Sequence, residues 1–273
     1  MPERPDYSFG HRSSAVNSMA IRTAERNAAF ALPHLKKGMS LLDCGCGPGS
    51  ITVGLASSVS PGEVVGVDIG GSQVDAARDH AAQLGLENVR FQVANVTELP
   101  FEDESFDAVF SHTLFSHLAD VDLGVAEIFR VLKPGGLVAV RDAILSVSVF
   151  SHDNEKLHRS NKLVSDTISL AGGDPDRGAK LGTLLHRAGF EQIHLSASYD
   201  FARSIDEKPG YLELEAQLIE HSDIADHCVA QGRATREELR EIANELREFG
   251  RAPDTLWALP YGEAVGWKPV SVI

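Results

Sequence analysis

The chain has 273 residues, enough for one large domain or two small ones with a substantial core. Its formal charge of −14 argues against nucleic acid as a partner, because phosphate binding needs a basic footprint. No apolar run is long enough to span a bilayer.

Residues Asp6 to Ser18 are polar and read as a loop, with no apolar secretion segment between Met1 and Ser14. Met19 to Leu35 predicts a helix, with Ala24, Ala28, Ala29 and Leu32 on spaced turns. Residues 1–37 would then form an N-terminal helical cap over a pocket or, equally, an oligomer arm. Tyr7, Phe9 and His11 are candidates to close over that pocket.

Leu41-Leu42-Asp43-Cys44-Gly45-Cys46-Gly47-Pro48-Gly49-Ser50 reads as a buried strand, a tight glycine turn and a helix start. Glycine lets a ligand approach the backbone, and the helix start offers free N–H groups. The dinucleotide fingerprint has this shape, but here the third glycine, Gly49, comes one residue early. Asp43 before the turn suits a cationic amino group better than a pyrophosphate. A ligand-free loop is the remaining alternative. The cysteines, Cys44, Cys46 and Cys228, supply neither a disulfide framework nor a four-ligand zinc set. We therefore expect no metal and a reducing cytoplasm.

Glu63 to Asp68 is the second buried strand, ending in an acid about twenty residues past the turn, where doubly wound folds hold ribose hydroxyls. Ser72 to Gly85 predicts a helix and Asn88 to Val93 a third strand. Asn95-Val96 follows, where the Asn95 carbonyl either binds an exocyclic amine or caps its own loop. Ser105 to Phe110 is a fourth strand, leading into Ser111 and His112. Phe115 to Leu118 and Leu123 to Leu132 read as helical, Lys133-Pro134-Gly135-Gly136 as a turn, and Leu137 to Arg141 as the fifth strand. Alternating strands and helices argue for a parallel sheet covered on both faces.

Beyond Asp153 the pattern changes. Helices are expected at Glu155 to Leu170 and Lys180 to Ala188, then a strand at Gln192 to Ser198. Two polar helices, Ile205 to Ile224 and Thr235 to Phe249, follow, the second opened by the capping spacing Thr235 with Glu238. The Arg/Glu run from Arg233 to Arg251 reads as a solvated face with opposite-charge pairs. Thr255 to Leu259 and Ala264 to Trp267 read as separate strand segments.

The D-x-G-x-G-x-G turn, Asp68, the block Asn95 to Asp107 with its Leu99-Pro100-Phe101, and Leu132 to Gly136 together resemble the class I S-adenosylmethionine-dependent methyltransferases, of the ubiquinone/menaquinone-biosynthesis (UbiE-like) small-molecule branch. Asn95 departs from the aspartate common there. Arg22 to Glu25 and Gly173-Asp174-Pro175 are similar to a subgroup found in microbial secondary metabolism. The resemblance implies an α/β, doubly wound, Rossmann-like sheet of seven strands, the last antiparallel. It also implies a methyltransferase domain over 38–273, with helical insertions near 153–189 and 205–250.

It implies S-adenosyl-L-methionine as cofactor, held by Asp43, Gly45, Gly47, Gly49, Asp68, Ile69, Gln73, Asn95, Val96, Ser111 and His112. The partner is a small-molecule acceptor with an O, N or C nucleophile. Because some relatives carry a histidine at the position of His117, that residue is the candidate general base, with protonation expected near the ordinary imidazole value of about 6.5. Non-methyl chemistry on the same fold and a non-catalytic cofactor-binding protein are the alternatives.

Overall fold

The computed structural model describes residues 19–202 and 204–270. Tyr7, Phe9 and His11 lie outside them. The uninterrupted run Leu41–Cys44 is buried on both faces and forms β1, paired in parallel with β2 (Val64–Asp68) and β4 (Phe106–His112). β3 (Val89–Val93) extends the sheet beyond β2, and β5 (Leu132–Ala143) beyond β4. β8 (Trp257–Trp267) runs antiparallel to β5 and to β7 (Glu191–Asp200). The order is β3-β2-β1-β4-β5-β8, with the two-residue β6 (Val149–Phe150) also on β8. Reversal of strand order between β1 and β4 opens a crevice at their carboxyl ends, where such sheets bind ligands.

Alternation along the strands separates two cores. Leu42, Cys44, Val65, Val109 and Val138 pack on α4 (Val121–Val131) and α6 (Leu181–Arg187). Leu41, Val64, Ala108 and Phe110 pack on α2 (Thr52–Val59) and α1 (Ala24–Asn27), with α3 (Gly71–Gln83) bridging β2 and β3. A third cluster sits in α5 (Glu155–Leu170), α7 (Lys208–His221), α8 (Asp223–Ala230) and α9 (Arg236–Arg251). It closes on Trp257 at the start of β8.

The structure corrects several expectations. Met19 to Leu35 is not one helix: α1 spans only Ala24–Asn27, and a 3-10 turn follows at Leu32–His34. Pro33 in that turn lacks the N–H a continuing helix needs. The seven long strands, with β8 antiparallel, match the expected sheet, and the two-residue β6 adds an eighth strand on β8. Lys133 to Gly136 is a bulge inside β5, between the pairs Phe106–Leu132 and Ala108–Leu137. The segment Ile205 to Ile224 divides into α7 and α8, because Ser222 takes an extended conformation and caps Ile224 N–H. The two last strand segments are one strand of 11 residues.

α9 is also more than a solvated face. Leu239, Ile242, Ala243, Leu246 and Phe249 are buried at helical spacing. Its charges tie helices together: Arg247 pairs with Glu213 and Glu220 of α7, and Glu238 with Arg159 of α5.

Candidate active site

Gly45, Gly47 and Gly49 all adopt positive φ, at 74°, 52° and 77°. Their reasons differ. Gly47 donates its N–H to Asp68 Oδ2 at 2.9 Å, and its α-carbon faces a cavity. Gly49 lines no cavity; a Cβ there would stand 2.9 Å from the Cβ of Ala77, so it lets the turn press on α3. Ser50, where the dinucleotide fingerprint wants glycine, donates its hydroxyl to the Met19 carbonyl at 2.8 Å and fastens the leading segment to the turn.

The cavity beside the turn is bounded by Gly45, Gly47, Asp68, Ile69, Gln73, Asn95, Val96, His112 and His117. Asp68 Oδ1 also accepts from Gly70 N–H at 2.9 Å, which fixes the carboxylate's plane. Asn95 Oδ1 accepts from Thr97 N–H at 3.0 Å, so the loop-cap role is the one visible. Gln73 is 2% exposed, and among the described residues both polar atoms of its amide lack a hydrogen-bond partner. An unsatisfied buried amide on a cavity wall fits a polar ligand that supplies the missing bonds.

Asp43 lines a small adjoining recess that shares Gly45, Gly47 and His112. It accepts from Thr52 Oγ1 at 2.6 Å. Burial pushes its carboxyl up to about 7, against the Thr52 hydrogen bond, and the charge of Asp68 adds to the rise. Such a group gains from a cationic neighbour. Ser111 stands apart: fully buried, on the sheet face of Cys44, it lines neither cavity nor recess.

A second, inner cavity encloses about 1000 Å³, counting its open mouth. It lies among α5, α7, β8 and the leading segment. Met19, Arg22, Thr113 and His117 belong to both cavities and form their common wall. His117 sits there as expected from its place after β4. Its basicity does not match the expectation. Burial, then the Arg22 guanidinium, holds its imidazole down at about 3 rather than 6.5, so the ring is neutral at working pH.

Arg141 is 1% exposed and anchors a polar network that the sequence did not announce. It pairs with Asp200 at 2.8 Å and Glu263 at 3.4 Å, and its guanidinium lies 3.7 Å over the Tyr261 ring. Its Nη1 is 2.7 Å from His112 Nε2. Guanidinium only donates, so Nε2 accepts and the proton of the neutral ring sits on Nδ1. Burial and the charges of Arg22 and Arg141 keep that ring well below the usual imidazole range. Nδ1–H then donates to Thr113 Oγ1 at 2.6 Å.

Thr113 itself has φ of 54°, a strained value for a β-branched residue and one associated with functional sites. Met19 and Arg22 fall in the leading segment expected to cap a pocket, and they line both cavities. Sequence reasoning missed Thr113 and Glu215 of the inner cavity, for which the only local signal was the position of Thr113 directly after His112.

Residues 35–189 match the family described as a methyltransferase domain. The chain belongs to this family. It is 29% identical over 285 residues to the probable methyltransferase ltbC of Aspergillus luteorubrus, covering 96% of this chain and 97% of that protein. Over 105 residues, 38% of this chain and 43% of the relative, it is 39% identical to demethylmenaquinone methyltransferase of Staphylococcus aureus, which bears out the resemblance to the quinone-biosynthesis branch. The fold is shared with a phosphoethanolamine N-methyltransferase of Haemonchus contortus, at TM-score 0.56, 21% identity, and coverage of 89% of this chain and 52% of that one. The protein is an S-adenosylmethionine-dependent methyltransferase for a small-molecule acceptor.

Proposed function

We propose that the cofactor occupies the cavity beside the glycine turn and the acceptor the inner cavity, with transfer across the wall they share. The observation that carries this is the common wall of Met19, Arg22, Thr113 and His117. Gly45 and Gly47 leave room for the ligand, the Asp68 carboxylate faces the ribose hydroxyls, Gln73 and Asn95 offer amides, and Asp43 in its recess faces the cationic amino group. When bound, S-adenosylmethionine supplies an electrophilic methyl group.

The chain's own work is placement and exclusion of water. Thr113, fixed by the relay from Arg141 through His112, keeps its hydroxyl proton to donate to a ligand at the wall. His117 is a neutral ring that shapes the approach. We place the enzyme in the cytoplasm, without nucleic acid as partner, and leave the leading segment and the helical insertions as surfaces for self-association. Among the described residues no helix is long and apolar enough to cross a membrane.

Calorimetric titration with S-adenosylhomocysteine tests the cofactor assignment. Binding should be saturable and one-to-one in the wild type and weaker in Asp68→Ala; equal affinity in both proteins would remove Asp68 from the ribose site.

A further inference from the structure

The walls of the inner cavity are mostly apolar, with Ile21, Leu145, Val164, Ile168, Leu214 and Leu218 among them, joined by the rings of Tyr211 and Tyr261. Such walls select an apolar ligand body, and the few polar groups fix its orientation. Two of the charged groups are already engaged. Arg26 donates to the Phe201 carbonyl at 3.0 Å. Asp200 receives Arg141 at 2.8 Å and the Asn27 amide at 3.3 Å.

Glu215 differs. It enters the cavity from α7, half-buried, and among the described residues no hydrogen bond or ion pair reaches its carboxylate. The charged and titratable groups around it are Arg22 of the leading segment, Asp200 at the end of β7, Tyr211 on its own helix and Tyr261 on β8. A half-buried carboxylate without a donor is costly, and a ligand hydroxyl removes that cost.

We propose, resting on the reading that this cavity holds the methyl acceptor, that the acceptor is a phenol on an apolar ring body and that Glu215 takes its hydroxyl proton. The O–H bond breaks with its electron pair left on the phenolic oxygen, and the proton bonds to the Glu215 carboxylate. That oxygen pair forms the bond to the methyl carbon, while the pair of the broken carbon–sulfur bond stays on sulfur. Arg22 lines the same cavity, and its charge acts on Glu215, His117 and Tyr261. Burial, opposed by Arg22 and reinforced by Asp200, pushes the Glu215 carboxyl up to about 7, within reach of a phenol at about 10 and far from an aliphatic alcohol. The residue that suits the base role is therefore on the insertion and not after β4.

The probes are 2-naphthol and 2-methoxynaphthalene, which share one ring body and differ in the hydroxyl proton. Both are titrated into protein saturated with S-adenosylhomocysteine. The wild type should bind the naphthol about tenfold more tightly than the ether at pH 8. Glu215→Leu should lose that preference, and Glu215→Gln, which still accepts a hydrogen bond, should keep part of it. The wild-type preference should shrink from pH 8 to pH 6 as the carboxylate is protonated, while the Gln variant stays level. Both variants should hold S-adenosylhomocysteine within about threefold of wild type yet lose methyl transfer to naphthol.

Equal binding of naphthol and ether by the wild type, an undiminished preference in Glu215→Leu, or no naphthol binding at about 1 mM overturns the proposal. Failure of the wild type to bind S-adenosylhomocysteine overturns the underlying reading as well, and is told apart by that first titration.

Discussion

The two cavities are built in different ways. The cavity proposed for the cofactor is made of strand ends and their loops: Gly45 and Gly47 after β1, Asp68 at the end of β2, Asn95 and Val96 after β3. Much of what it offers is backbone, held by the sheet. The cavity proposed for the acceptor is made of side chains gathered from the leading segment, the turn after β4, α5, α7 and β8. Its walls come from helices whose own core is separate from the sheet's. A cavity assembled that way can change most of its walls without disturbing the parallel strands, so acceptor choice can vary while the strand-end contacts of the other cavity stay fixed.

Substitutions on the two sides should therefore fail differently. The largest effect is expected from Gly47→Val: the left-handed φ strains a β-branched residue, and the side chain points at the cofactor cavity beside Met19. Titration should show cofactor binding weakened by more than about 100-fold with an unchanged circular dichroism spectrum; binding retained by a folded variant would reverse the assignment. Val164→Trp, filling the inner cavity from α5, should abolish turnover yet leave cofactor affinity intact. If it weakened the cofactor as well, the disturbance would have crossed the shared wall and the division of roles between the cavities would fall.

Asp68→Ala should cost about 1.5–3 kcal/mol of cofactor binding, the scale of hydrogen bonds to a charged group. Asp43→Asn should weaken cofactor binding and, separately, stabilise the fold. Its folded pKa of about 7 stands above the ordinary 3.8. The wild-type carboxyl thus contributes full stability only below about pH 4, and loses it as pH rises to about 7. Melting curves should show the variant's advantage growing over that window and level above it.

The smallest effect is expected at His117. A ring held at about 3 is a weak base, so His117→Ala should lower turnover by about tenfold through lost positioning, and leave the pH profile between 5 and 8 unchanged. A 1000-fold loss with an altered profile would return the base role to His117.

The same contrast explains what could be read from the chain. The glycine turn and Asp68 are legible because each is local: strand, turn and acid follow at fixed short spacing. Asp43 is legible for the same reason, and its recess adjoins the cavity. Ser111 was placed by its neighbourhood alone, and strand alternation turns it toward the core of Cys44.

Glu215 and Tyr261 carry no local signature; chain crossings bring them to the cavity over long separations. The leading helix was overestimated because spaced alanines satisfy the periodicity, while Pro33 and the docking of Ala24 against Gly54 shorten it. The charged run at Arg233 to Arg251 hid a buried face, because its apolar residues are outnumbered while still recurring every third or fourth position.

The common wall has one more consequence. Met19 and Arg22 touch whatever fills either cavity, so neither ligand binds to a surface indifferent to the other. Their affinities are then thermodynamically linked, and the linkage is reciprocal: the factor by which S-adenosylmethionine tightens or loosens the acceptor must equal the factor by which the acceptor changes S-adenosylmethionine. If the cofactor binds as proposed, its demethylated form, which lacks the sulfonium charge, enters that cycle with a different factor from its parent.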